Sequence, residues 1–205
     1  MKKFVLILFT ILCTSHLMAQ VKPEFGIKTG ANISILSASV NNEPSSRVGF
    51  NLGVYMRKPL SEKLFFRPEL YYSQQGQRND YQLLSNGPSI GKTTSAMNYI
   101  NMPLLIEYGR KVTVHFGPQA GVLLTATEKG KFDGESIHVN MKSYHQTFDF
   151  SLALGFGVAA SGRINFGARF NLGLSNANTE DYVLGGFTLS EVRNQVLHFY
   201  AGYSF

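Results

Sequence analysis

Apolar residues recur at every second position along most of the chain, and the alternation returns after each interruption. That period predicts β-strands with one apolar and one polar face. In the first run Phe25, Ile27, Thr29, Ala31 and Ile33 point one way, and Gly26, Lys28, Gly30, Asn32 and Ser34 the other. Seven more runs begin at Val48, Leu64, Ile100, Val112, Phe148, Ile164 and Leu197, the last ending on Phe205. Residues 59–63, 109–111 and 161–163 are short connections. Longer polar stretches separate the first two runs and occupy residues 74–95, 126–146 and 175–194. An even number of strands, with short turns at one end and long loops at the other, predicts one all-β domain. Its expected form is an eight-stranded antiparallel up-and-down transmembrane β-barrel with both termini on the short-turn side.

Period two alone does not say whether the apolar face points into a soluble core or out into lipid. Charge placement separates the two. No Asp, Glu, Lys or Arg falls on the apolar face of the eight runs, as hydrocarbon requires when Lys or Arg at its midplane costs about 2–4 kcal/mol. A soluble barrel would coat its other face with charge. Here that face carries Gly, Asn and Ser and only seven full charges: Lys28, Arg57, Arg67, Glu69, Glu107, Asp149 and Arg169. Small residues with a few charges of both signs suit a narrow interior filled by side chains. Tyr72, Tyr108, Tyr203 and Phe205, on the apolar face, are expected in the aromatic girdles.

The N-terminus reads differently. Lys2 and Lys3 precede an apolar run from Phe4 to Leu12, and Leu17-Met18-Ala19-Gln20 supplies a small-residue cleavage site. This predicts a secretory signal over residues 1–19 cut after Ala19, leaving the barrel domain over 20–205. The run is too short for a membrane-spanning helix. Thr10-Ile11-Leu12 lacks the small residue a lipoprotein signal places before its cysteine, so Cys13 reads as a bystander. Composition then falls into place. Charged residues make up only 16% of the chain, against about 25% ordinarily, and the mean hydropathy of -0.04 averages a lipid-facing band with polar loops. The net charge of +6 is diluted, with no basic run to bind nucleic acid, and the single Cys excludes an internal disulfide.

Pro68, Pro103 and Pro118 fall inside predicted strands, where proline cannot donate to the ladder, so they are expected at bulges or kinks. The segments around them carry a likeness. Phe66-Arg67-Pro68-Glu69-Leu70-Tyr71-Tyr72-Ser73-Gln74-Gln75-Gly76, Asn101-Met102-Pro103-Leu104-Leu105-Ile106-Glu107-Tyr108 and Phe116-Gly117-Pro118-Gln119-Ala120-Gly121 resemble the PorT-like outer membrane β-barrel proteins of Bacteroidota, often labelled "porin family". The resemblance covers nearly all of the chain after the signal. It implies an outer-membrane location and little about activity; the member that names the family is linked to a protein-secretion system. The closing strand, with Phe199, Tyr203 and a terminal Phe205 at alternating positions, resembles the signal by which the outer-membrane assembly machinery recognises its clients.

The seven interior charges share one enclosed face, where unpaired charge is costly. They are expected to form a paired network that plugs the lumen; an ion path or proton relay is the alternative. His115 and His198 also face inward and could join a serine or carboxylate in a lipid-modifying hydrolytic site, but the inward Ser73, Ser151 and Ser204 lie on different strands at unknown heights. No His pair has ligand spacing, so no metal and no cofactor is expected. The expected partners are outer-membrane lipid, the assembly machinery during biogenesis, and an envelope or secretion partner at the long loops. Three functions follow: a non-enzymatic structural or interaction barrel first, a narrow pore second, and a lipid-modifying enzyme third.

Overall fold

The computed structural model describes residues 22–37, 45–82, 89–177, 182–184, 187–189 and 193–205. The expected signal segment and Cys13 lie outside the described residues. Among the described residues there are eleven strands: β1 (Glu24–Ser37), β2 (Ser45–Pro59), β3 (Leu64–Gln82), β4 (Ser89–Gly109), β5 (Val112–Phe132), β6 (Glu135–Asn140), β7 (Phe148–Ala159), β8 (Ile164–Gly173), β9 (Tyr182–Leu184), β10 (Phe187–Leu189) and β11 (Arg193–Ser204). Eight close a ring in the order β1–β2–β3–β4–β5–β7–β8–β11, with β11 returning to β1 through pairs such as Lys28↔Gly202 and Asn32↔His198. Closure leaves no open edge in the ring, the condition for placing strands in lipid.

The apolar face points outward. Val48, Phe116, Leu154 and Phe205 are exposed by 65%, 56%, 62% and 72%, whereas Lys28, Glu69, His115 and Arg169, on the other face, are buried. Tyr72 stacks at a tilt on Phe50, their ring centres 5.5 Å apart. Towards the short-turn end, Tyr203 meets Phe205 edge-on at 5.9 Å, and Tyr108 pairs with Leu64. Leu64 lies eight residues before Tyr72 on β3. At about 3.3 Å per residue and a tilt near 40°, that is about 20 Å of height, close to the apolar band of a barrel in an outer membrane.

Two expectations change. Residues 74–95 and 126–146 are not mainly loop: β3 and β4 run 19 and 21 residues and pair from Leu64↔Tyr108 to Gln82↔Ser89, lapsing beside Pro103 between Pro68↔Leu104 and Tyr71↔Asn101. β5 also runs 21 residues and folds back on β6 through Asp133-Gly134. A membrane-crossing strand needs about 9–11 residues, so β3, β4, β5 and β6 rise past the band as a wall. The tight turn is legible afterwards, because Asp133 and Gly134 both have positive φ (50° and 79°), the conformation of a two-residue hairpin turn that Asp-Gly favours.

The prolines do not mark bulges. Register shifts occur between Ser46 and Asn51, between Tyr81 and Gln82, and between Asn98 and Tyr99. Beside Pro68, pairing lapses between Tyr55↔Glu69 and Lys58↔Phe66 and resumes in the same register. Beside Pro118 it lapses between Pro103↔Gln119 and Ile106↔Phe116, again without slippage. A proline that replaces one ladder donor costs that bond but adds no residue, so the strands keep step.

Candidate functional site: the layered lumen

Eight strands leave an interior only as wide as side chains can fill, and the inward residues sort into layers along the axis. At the short-turn end lies a cavity of about 70 Å³ bordered by Tyr55, Arg57, Arg67, Glu107, Asn165 and Tyr200. The Asn165 amide donates to the Tyr55 hydroxyl at 2.9 Å, and that hydroxyl lies 2.9 Å from Ser204 Oγ.

Above the cavity is a layer of charge. Glu69 is its hub: Arg169 grips both carboxylate oxygens at 2.7 and 2.8 Å, Lys28 donates to one, and Arg67 Nε lies 3.0 Å from the other. Arg67 then reaches Glu107 at 2.8 Å, and Arg57 closes on the same carboxylate at 2.6 Å while facing Glu24 at 3.5 Å. Aromatic rings line the cations. Lys28 Nζ sits 4.2 Å from the centre of the Tyr71 ring, and the Arg67 guanidinium 4.4 Å from Tyr55, contacts in which a ring face takes up positive charge. Four cations thus share two buried carboxylates, with Glu24 at the margin.

Six of the seven interior charges singled out from the sequence meet here. Asp149 stands apart. It lies opposite Gly121 towards the loop end, where its carboxylate accepts from Ser175 Oγ at 3.2 Å, and among the described residues no ion pair joins it to the cluster.

Next comes a neutral layer, in which the sequence picks out His115, His198, Ser73 and Ser151 but not Tyr71, Gln119 or Asn171. Tyr71 donates to Gln119 at 2.7 Å, Asn171 Nδ2 to Gln119 at 3.0 Å, and Asn51 to Asn32 at 2.6 Å. His198 is held between Asn171 at 3.0 Å and Asn32 at 2.6 Å. His115 accepts from Arg169 Nε at 3.1 Å. Ser73 bonds Asn32 and Gln75, Ser151 bonds Gln119, and Ser204 bonds Tyr55. Neither histidine therefore meets a serine hydroxyl among the described hydrogen bonds, and no cluster of three or more metal-ligating groups occurs among the described residues. At the loop end Met97, Tyr99, Leu123 and Ala126 pack on Ala177, an apolar lid over the polar layers.

Glycines make room for this filling. A Cβ on Gly167 or Gly26 would overlap the ring of Tyr200 or Tyr55. The motif segments supply much of the rest: Arg67, Glu69 and Tyr71 from the first, Asn101 and Glu107 from the second, Gln119 from the third. Phe199, Tyr203 and Phe205 face outward; Phe205 N donates to Phe25 O at 2.8 Å, and the Tyr203 hydroxyl accepts from Arg163 at 3.2 Å.

Solved structures share this architecture. Neisserial surface protein A is 17% identical over 88% of this chain and 97% of its own, with a TM-score of 0.51. Ail, the attachment invasion locus protein of Yersinia pestis, is 15% identical over 90% and 99%, with a TM-score of 0.50. A major outer membrane protein from Thermus thermophilus is 11% identical over 90% and 100%, with a TM-score of 0.51. At such identities the likeness is one of fold. No curated protein matches the sequence. The family model described as outer membrane protein beta-barrel domain matches residues 18–178, most of the ring, and the chain belongs to that family of outer-membrane barrels.

Proposed function

We propose that this outer-membrane barrel is a closed, non-conducting module that acts through its long-strand end, as a structural element or a docking point for an envelope partner, including a secretion assembly. The observation that carries this reading is the ion-pair network spanning the lumen, in which Glu69 holds Lys28, Arg169 and Arg67 and Arg67 reaches on to Glu107, with the apolar lid above it. An ion entering the lumen would have to separate buried pairs, each worth several kcal/mol to break. Purified protein in planar bilayers at neutral pH is expected to give no unitary currents. Steady open-channel steps would overturn the closed reading and favour the narrow pore.

The same reading assigns residues 1–19 to an export signal cut after Ala19 and both termini to the periplasm. It places Phe199, Tyr203 and Phe205 in the segment met by the assembly machinery. Deleting Phe205 should then slow assembly in cells while leaving the refolded barrel's stability nearly unchanged. Membership in the PorT-like branch is supported by the Arg67-Pro68-Glu69-Leu70-Tyr71-Tyr72 and Pro103-Leu104-Leu105-Ile106 segments. Co-purification from native envelopes tests for the partner. Recovery of the chain alone, under conditions that preserve known envelope complexes, would leave only the structural role.

A further inference from the structure

The outward face of the β3–β6 wall continues the lipid-facing surface, yet its chemistry changes row by row. Above Tyr72 and Ile100 comes a neutral row of Gln74, Asn98 and Thr125, and then Gly76, Ala96 and Thr127. The next two rows are basic. Register places Arg78 opposite Thr94, Thr94 opposite Lys129 and Lys129 opposite His138; one step further, Asp80 faces Lys92 and Lys92 faces Lys131. Arg78, Lys92, Lys129 and Lys131 are all exposed. Asp80, paired with Lys92 at 3.1 Å, is the one acid in these two outward rows. Glu128 belongs to the inward face, where it meets Thr93.

Like charges directly opposite each other on a ladder are unfavourable, and Asp80 offsets only one of the four cations in these rows, leaving Arg78, Lys129 and Lys131 with no further acid in either row. We propose that these rows dock phosphate-bearing sugar headgroups of glycolipid in the surrounding leaflet. Distance favours that class over ordinary phospholipid. Arg78 lies six residues beyond Tyr72 at the aromatic girdle, about 20 Å along the strand and about 15 Å in height at the usual tilt. Phospholipid headgroups add only about 5–8 Å beyond the hydrocarbon on each side, a depth occupied here by neutral rows. A headgroup of phosphorylated sugars extends to the height of the cations. Because the rows point away from the barrel axis, what they meet is the neighbouring leaflet.

The proposal rests on the reading that the long-strand end faces outside. Its test is native mass spectrometry of the full barrel in detergent, titrated with rough lipopolysaccharide, the same lipid dephosphorylated, and phosphatidylglycerol. Three proteins are compared: the wild type, a variant carrying R78Q, K92Q, K129Q and K131Q, and a control carrying K58Q, K63Q and K111Q at the other end. Heat-modifiable gel migration confirms that each is folded. The wild type and the control should retain phosphorylated lipopolysaccharide at a concentration at least about tenfold lower than the four-site variant, and should prefer it to both other lipids. Equal retention by the four-site variant, or equal retention of the dephosphorylated lipid, would overturn the proposal. Binding of a soluble polysulfated sugar as tight as that of the lipid would assign the rows to a free polyanion and overturn it too. Amine labelling of Lys129 and Lys131 on intact cells tests the sidedness separately, since labelling only after the membrane is breached would sink the outward reading and not the lipid measurement.

Discussion

Replacing Glu69 by Gln keeps the shape of the hub and removes its charge. Glu69 is 3% exposed and answers Arg169, Lys28 and Arg67 at once. Removing one partner of a buried ion pair costs about 3–5 kcal/mol, chiefly because the other charge is left uncompensated. Here three cations lose their partner together, and Glu107 alone remains to face four. The expected cost is at the top of that range, about 5 kcal/mol. Glu107→Gln should cost less, because it serves Arg57 and Arg67 and the Arg57 side chain is 17% exposed, so water takes over part of the solvation.

The assay is urea unfolding of protein folded into lipid vesicles, followed by loss of the heat-modifiable gel band. Three proteins besides the wild type suffice: Glu69→Gln, Glu107→Gln, and Glu69→Gln combined with Arg169→Met. The double variant removes one stranded cation and should recover part of the loss. A Glu69→Gln protein within about 1 kcal/mol of wild type would refute the reasoning, against the range for broken buried pairs. So would a greater cost for Glu107→Gln, or a double variant less stable than the single one.

The remaining predictions use the same titration. Leu104→Arg, outward and midway along the band, should cost about 2–4 kcal/mol, while Tyr108→Arg at its margin should cost about 0–1; equal costs would remove the band assigned here. Gly167→Ala drives a methyl into the Tyr200 ring and should cost about 1–3 kcal/mol, partly recovered by adding Tyr200→Leu. A neutral Gly167→Ala would mean the ring lies elsewhere. Gly134→Val, at a φ of 79°, should speed amide exchange over Glu135–Asn140 and leave the barrel's midpoint unchanged.

Much of this was legible in the sequence because lipid and lumen impose opposite demands on alternate residues. A side chain such as Leu154 or Lys28 declares its face by its polarity, and the eight runs follow. Strand ends were less legible. Past Tyr72 the outward positions turn polar as the wall leaves the hydrocarbon, so alternation fades although the ladder continues from Gln74↔Asn98 to Asn79↔Thr93. Asp133-Gly134 was the surviving cue to β6. Heights were not legible at all. Whether Asp149 would meet the charged layer depended on the stagger between distant strands, and the pairing of Gly121 with Asp149 sets it above that layer.

That dependence on stagger also gives the charged layer a role beyond filling space. In lipid no hydrophobic effect draws apolar faces together, because hydrocarbon is as apolar as leucine, so the outward face does little to distinguish one register from another. The inward face must do so. A one-residue slip of β3 would turn Glu69 and Arg67 out into hydrocarbon. A two-residue slip keeps them inside but shifts Glu69 about 7 Å along the strand, beyond the reach of the two hydrogen bonds that Arg169 makes to it from β8. Buried ion pairs are weak evidence for stability but well suited to fixing register. Here one carboxylate on β3 binds cations on β1 and β8, so all three strands must reach their final stagger before it is satisfied.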